Sequence, residues 1–162
     1  MRPRWWIFLG ALLLCGASLA WAAVSGPDPF PTHWNVSGVG DAWAPRGRAL
    51  AIAAASTAGV AALFAVLAAC TSAIPDQLIN LPVGSRAYWL DPEHRPQLDA
   101  QLQRFLLTIG TGVLLLLTVT VVGTIVSPDG NPVLAVSMWV FLALVVLSVG
   151  HLLWRLLRPP AR

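Results

Sequence analysis

The chain has 162 residues, 57% of them hydrophobic and only 10% charged, with ten Arg, no Lys and seven acidic residues for a formal net charge of +3. Charges this few and this scattered exclude a nucleic-acid surface. Apolar runs and their connections use nearly the whole length, leaving no room for a separate soluble enzyme domain, so residues 1–162 are expected to form one integral membrane domain.

The first run, Trp5–Val24, carries no acidic or basic residue. About 20 residues at 1.5 Å rise cross a hydrocarbon core about 30 Å thick. Backbone groups in lipid must bond internally, so the run is expected to be a helix. The alternation of a membrane β-barrel is absent. Arg2, Arg4 and the Ala20-Trp21-Ala22 tripeptide also fit a secretory signal peptide, but the run exceeds the apolar core of about 7–15 residues typical of such signals. With Trp6, Phe8 and Trp21 as anchors, a retained span is the preferred reading. Cys15 here and Cys70 in the second run read as small apolar residues, and nothing in their spacing suggests a disulfide or metal framework.

The connection Ser25–Arg48 is dense in Pro and Gly. Pro27-Asp28-Pro29-Phe30-Pro31 should be extended, because proline also pushes its predecessor out of helical geometry. The glycines after Asn35 allow tight turns. Phe30, Trp34 and Trp43 argue for an ordered cap on the bundle mouth. The second span is expected over Ala49–Ile74, and residues 75–104 form the next connection. Within it, Asp91-Pro92-Glu93 reads as a helix start: a capping oxygen, proline at the first helical position, then an acid. A short interfacial helix over Pro92–Arg104 is expected, anchored to headgroups by Tyr88 and Trp89. The third span, Phe105–Ser127, has a small, hydroxyl-bearing face of Gly110, Gly112, Gly123 and five threonines, which suits close packing within the bundle or with a partner. A short turn leads to the fourth span, Pro132–Leu153, completing an all-α bundle of four helices.

Eight of the ten arginines fall at the termini or in the second connection, whereas the first connection holds only Arg46 and Arg48 and the third none. Positive charge is enriched in cytoplasmic loops, which puts both termini and the second connection in the cytoplasm and the first and third connections outside. Arg without Lys, with abundant Ala, Gly and Pro, points to a GC-rich bacterial coding sequence, hence to the inner (plasma) membrane of a bacterial cell.

Candidate chemistry is sparse. His33 with Asp28 and Asp41 invites a metal site or a proton-sensitive switch, but tight sites collect three or four ligands. Turn and loop bonds are the preferred reading for all three. Glu93, His94, Asp91 and Arg95 resemble an acid–base set, yet neighbours on one helix point apart and no nucleophile accompanies them. His151 lies about a turn from Arg155 near the end of the last run and reads as a snorkelling or packing residue. No catalytic residue, metal or cofactor is expected, and the lipid bilayer is the one certain partner by composition.

Two separated motifs carry a family resemblance. Pro29-Phe30-Pro31-Thr32-His33-Trp34-Asn35, followed by Gly38 and Asp41, is similar to the signature of the bacterial membrane domain-of-unknown-function family numbered sixteen forty-eight. Ile79-Asn80-Leu81-Pro82 and Tyr88-Trp89-Leu90-Asp91-Pro92-Glu93-His94-Arg95 resemble that family's cytoplasmic segment. The domain also begins SdpI-type membrane proteins, which act in immunity to a secreted peptide toxin and in signalling; the chain is expected to do without the additional spans of those longer proteins. The resemblance implies a non-enzymatic protein with Pro29, Pro31, His33, Trp34, Asn35, Gly38 and Asp41 as an outer recognition motif. Asn80, Pro82, Tyr88, Trp89, Pro92, Glu93 and Arg95 would then form an inner relay motif, and the partner would be a protein or peptide. An accessory subunit of a larger complex, or a small transporter, stands as the alternative.

Overall fold

A computed structural model describes residues 3–128, 130 and 132–158. Arg2, Arg162 and the turn residues Asp129 and Asn131 lie outside the described residues. Four helices are long and apolar enough to cross a membrane, the architecture of a multi-pass membrane protein. They are α1 (Pro3–Ser25), α2 (Arg46–Ala69), α4 (Arg95–Val126) and α5 (Pro132–Leu157), with a short α3 (Val83–Trp89) between α2 and α4.

α4 is the hub, packing against α1, α2 and α5. Lipid tails give no hydrophobic drive for helix association, so close van der Waals approach must hold the bundle together. The sequence of α4 permits that approach: Gly110, Gly112, Thr118, Gly123 and Thr124 are all buried. A Cβ on Gly110 would lie 2.8 Å from Phe64 Cβ and 2.9 Å from Phe8 Cε2, so the root of a side chain on α2 and the ring of Phe8 on α1 rest directly on the α4 backbone there. The hydroxyls of Thr118, Thr120 and Thr124 donate to the carbonyls of Leu114, Leu116 and Thr120 at 2.8–2.9 Å, which satisfies these donors in the apolar seam. The glycines, Thr118 and Thr124 of the small face are therefore taken up inside the bundle, while Thr108, Thr111 and Thr120 stay half-buried.

On α1 the buried residues Phe8, Ala11, Cys15, Ser18 and Ala22 recur at alternating spacings of three and four, a continuous stripe along one face. Phe8 and Ala11 join Ala61, Ala68, Leu107 and Leu114 in the central apolar cluster. Both chain ends described lie at the same end of the bundle, since Arg4 Nη1 donates to Thr108 on α4 and Trp89 Nε1 donates to the carbonyl of Leu156 on α5. α5 is the peripheral helix, with little of its span buried.

Three departures from the sequence reading have physical causes. The outer connection is not simply a loop: β1 (Phe30–Trp34) and β2 (Gly40–Ala44) form an antiparallel hairpin, so the fold is helical with a small β cap. α2 ends at Ala69, short of Ile74; a 3₁₀ turn over Thr71–Ala73 follows, and Gln103 Nε2 caps the freed carbonyl of Ala68 at 2.9 Å. No separate interfacial helix is present over Pro92–Arg104. The Asp91 carboxylate instead accepts from the Glu93 N–H in a tight turn, and α4 runs unbroken from Arg95. At 1.5 Å per residue the 32 residues of α4 extend about 48 Å, so its first turns project beyond an apolar core about 30 Å thick.

Candidate functional site

The outer motif folds into the hairpin cap. Asn35 builds its tip: the side-chain Oδ1 accepts from the N–H groups of Ser37 and Val39 at 2.9 and 3.1 Å, and the Asn35 carbonyl accepts from Gly38 N–H at 2.9 Å. That turn carries the chain through φ +78° at Gly38, a left-handed conformation that favours glycine. Pro29 follows a cis peptide bond after Asp28, and Pro31 is fully buried opposite Trp43. Phe30 is buried with Ala22, Ala49 and Val121, so the cap is docked onto the bundle through an apolar side chain.

His33 and Asp41 face each other across the two strands, with Nδ1 and Oδ1 2.5 Å apart. Their side chains are 68% and 46% exposed, so this pair adds little to folding stability and leaves the imidazole open to a partner. Asp28 does not join them. Its Oδ1 accepts from the Arg46 N–H at the start of α2 (3.0 Å), while Arg46 Nη1 donates to the carbonyl of Gly26 (2.8 Å). The three-ligand set is thus split into a hairpin pair and a helix cap. Among the described residues no three His, Cys, Asp or Glu side chains are grouped to hold a metal ion.

The cap overhangs the outer ends of α4 and α5, and between them lies a groove of about 420 Å³. One wall is Thr32, His33, Trp34 and Asn35 from the hairpin. The other is Thr120, Leu134, Met138 and Trp139 from the helices, with Met138 and Trp139 more than half exposed. Sequence reasoning missed this second wall. Its one signal was Trp139, a tryptophan seven residues inside a span rather than at a boundary.

The inner motif has a different character. Trp89 is not a headgroup anchor: it is 1% exposed, packs with Ile79, Leu81, Leu98 and Leu156, and donates to the Leu156 carbonyl at 2.9 Å. Burial of that indole requires a partner for its N–H, and the last turn of α5 supplies one. Tyr88 stacks on His94 at a centroid separation of 3.9 Å. Arg95 gathers the connection, bonding the Asp76 carboxylate, Asp99 Oδ1 (2.9 Å) and the Ile74 carbonyl (2.7 Å). Pro82 precedes α3, and its carbonyl accepts from the Ser85 and Arg86 N–H groups at 3.0 Å. Asn80, Pro92 and Glu93 are exposed and meet no common point. Arg95, Trp89 and Pro82 thus hold the inner end together, and the inner motif does not converge on a reacting centre.

Residues 3–56 match the family model described as Domain of unknown function (DUF1648). No curated protein and no solved structure matches the chain. The matched stretch spans α1, the hairpin and the first turns of α2, and it ends before the inner motif. From its first span through the outer cap into its second span, the chain is similar to the DUF1648 domain of unknown function.

Proposed function

We propose that this is a non-enzymatic membrane protein that recognises a peptide or protein segment outside the cell through the hairpin cap. The observation that carries the reading is the groove of about 420 Å³ between cap and bundle. Its Trp34, Met138 and Trp139 walls suit an apolar side chain, and Thr32, His33, Asn35 and Thr120 supply hydrogen-bonding groups at its edges. A secreted peptide that meets the membrane through an apolar face has the chemistry for such a groove. The choice of a peptide partner is motivated by the resemblance of Pro29–Asn35 to the motif that begins SdpI-type proteins, which act in toxin immunity and signalling.

The proposed orientation puts the cap outside and the arginine-rich end in the cytoplasm of a bacterium, following charge placement. Retention of the first span belongs to the same reading, and the buried stripe of α1 against the bundle supports it. The accessory-subunit alternative rests on the small face of α4; its Gly110 and Gly112 are taken up by Phe8, Phe64, Phe141 and Leu144 of α1, α2 and α5, which leaves Thr108, Thr111 and Thr120 for such a partner.

The test is peptide-toxin tolerance of producing cells carrying His33→Ala with Trp34→Ala. The proposal expects tolerance to fall while the protein stays at its normal level in the membrane. Unchanged tolerance would remove the immunity version of the proposal.

A further inference from the structure

Arginines that serve in the sequence only as topology markers meet in one place. Arg4 at the start of α1, Arg104 on α4 and Arg155 near the end of α5 line one cavity of about 350 Å³, with Gln101, Thr108 and His151. Arg104, Arg155 and Gln101 also line an adjoining hollow of about 320 Å³. No acidic residue lines either. Among the described residues, no carboxylate lies within ion-pairing distance of any of these three guanidiniums.

Three guanidiniums lining one cavity with no carboxylate among them give it a positive potential that favours an anion. Arg4 is fixed at the wall by its bond to Thr108 Oγ1 (2.8 Å), which leaves its other donors free to point elsewhere. Gln101 adds a second, separate sign. Its Oε1 is buried without a hydrogen-bond partner among the described residues, and a half-turn of the amide would place a donor there instead.

The setting favours a lipid over a free anion. Arg104 and Arg155 mark the aqueous end, while Phe105, Leu147 and Leu152 form the apolar part of the same wall. Trp6 and Trp154 are exposed near this end, in keeping with an interfacial level. A cavity that is cationic at one end and apolar at the other, between membrane helices, matches an amphiphile with a phosphate head. We propose that it binds the phosphate of an anionic glycerophospholipid in the leaflet at the chain-terminal end of the bundle. This site is remote from the hairpin groove and independent of the function proposed there.

The test is native mass spectrometry of the full chain, purified in mild detergent and exposed to mixed micelles of phosphatidylglycerol and phosphatidylcholine in equal amounts. Phosphatidylglycerol should be retained in preference. Arg104→Gln and Arg155→Gln should each lower its bound fraction about fivefold, the effect of one basic group at a membrane surface. Arg48→Gln, an exposed arginine at the opposite end, should leave it unchanged. Arg104 and Arg155 are both exposed, so both variants are expected to fold and each tests the proposal independently. Equal retention of the two lipids, or an equal loss in Arg48→Gln, would overturn the proposal. Displacement by excess inorganic phosphate would assign the cavity to a free anion and overturn the lipid reading.

Discussion

Gly110→Ala should destabilise the bundle although it adds a single methyl group to a helix. The new Cβ would sit 2.8 Å from both Cβ and Cγ of Phe64 and 2.9 Å from Phe8 Cε2. The Phe64 atoms are the root of a side chain, so relief requires α2 to move away from α4. Overpacking of this kind costs about 1–3 kcal/mol. Alanine's better helix propensity offsets up to about 1 kcal/mol of that, leaving a net loss of up to about 2 kcal/mol. Two controls isolate the cause. Gly112→Ala meets Leu144 Cδ2 at 2.7 Å, the far end of a flexible side chain that can rotate, and should cost less than Gly110→Ala. Gly59→Ala meets nothing within 4 Å and should be neutral or slightly stabilising. The assay is denaturant-induced unfolding in mixed micelles, followed by tryptophan fluorescence. A Gly110→Ala protein as stable as Gly59→Ala would refute the close packing of α1 and α2 on α4.

Trp89→Phe removes the donor to the buried Leu156 carbonyl and should cost about 1–3 kcal/mol in the same unfolding assay, with a loss of emission from a buried indole. Arg95→Gln leaves Asp99, whose side chain is 15% exposed, without its cation, and should cost about 2 kcal/mol and speed proteolysis between residues 74 and 95. Asp28→Ala removes the acceptor for the Arg46 N–H; hydrogen exchange at the first turn of α2 should accelerate about fivefold, the equivalent of about 1 kcal/mol, with the rest of α2 unchanged.

The spans were legible because an uncharged apolar run about 20 residues long has few alternatives to a membrane helix. Their ends were less so. Hydropathy continues past Ala69 to Ile74, where Thr71 is buried and Ile74 packs against the apolar inner end, and composition alone does not separate helix from such a turn. The start of α4 was misread because Asp91-Pro92-Glu93 satisfies its polar groups in a local turn before Arg95 opens the helix. The hairpin was hidden by Pro29 and Pro31, which suppress strand patterning, and by the register shifts on either side of His33, which break the two-residue alternation. Asn35 and Gly38 between aromatic-flanked segments were the available signal. Neither the helical wall of the outer groove nor the meeting of Arg4, Arg104 and Arg155 was readable, since each joins elements far apart in sequence.

The measurement that bears most directly on the cap as a recognition surface is affinity purification from native membranes in mild detergent, with mass spectrometry of what co-purifies. It should compare the unaltered protein with His33→Ala/Trp34→Ala on the hairpin wall, Trp139→Ala on the helix wall, and Arg104→Gln at the far end. The account predicts a specific companion that is lost with both groove variants and kept with Arg104→Gln. A companion retained by both groove variants, or no companion in any sample, would contradict it and leave the hairpin as a structural cap.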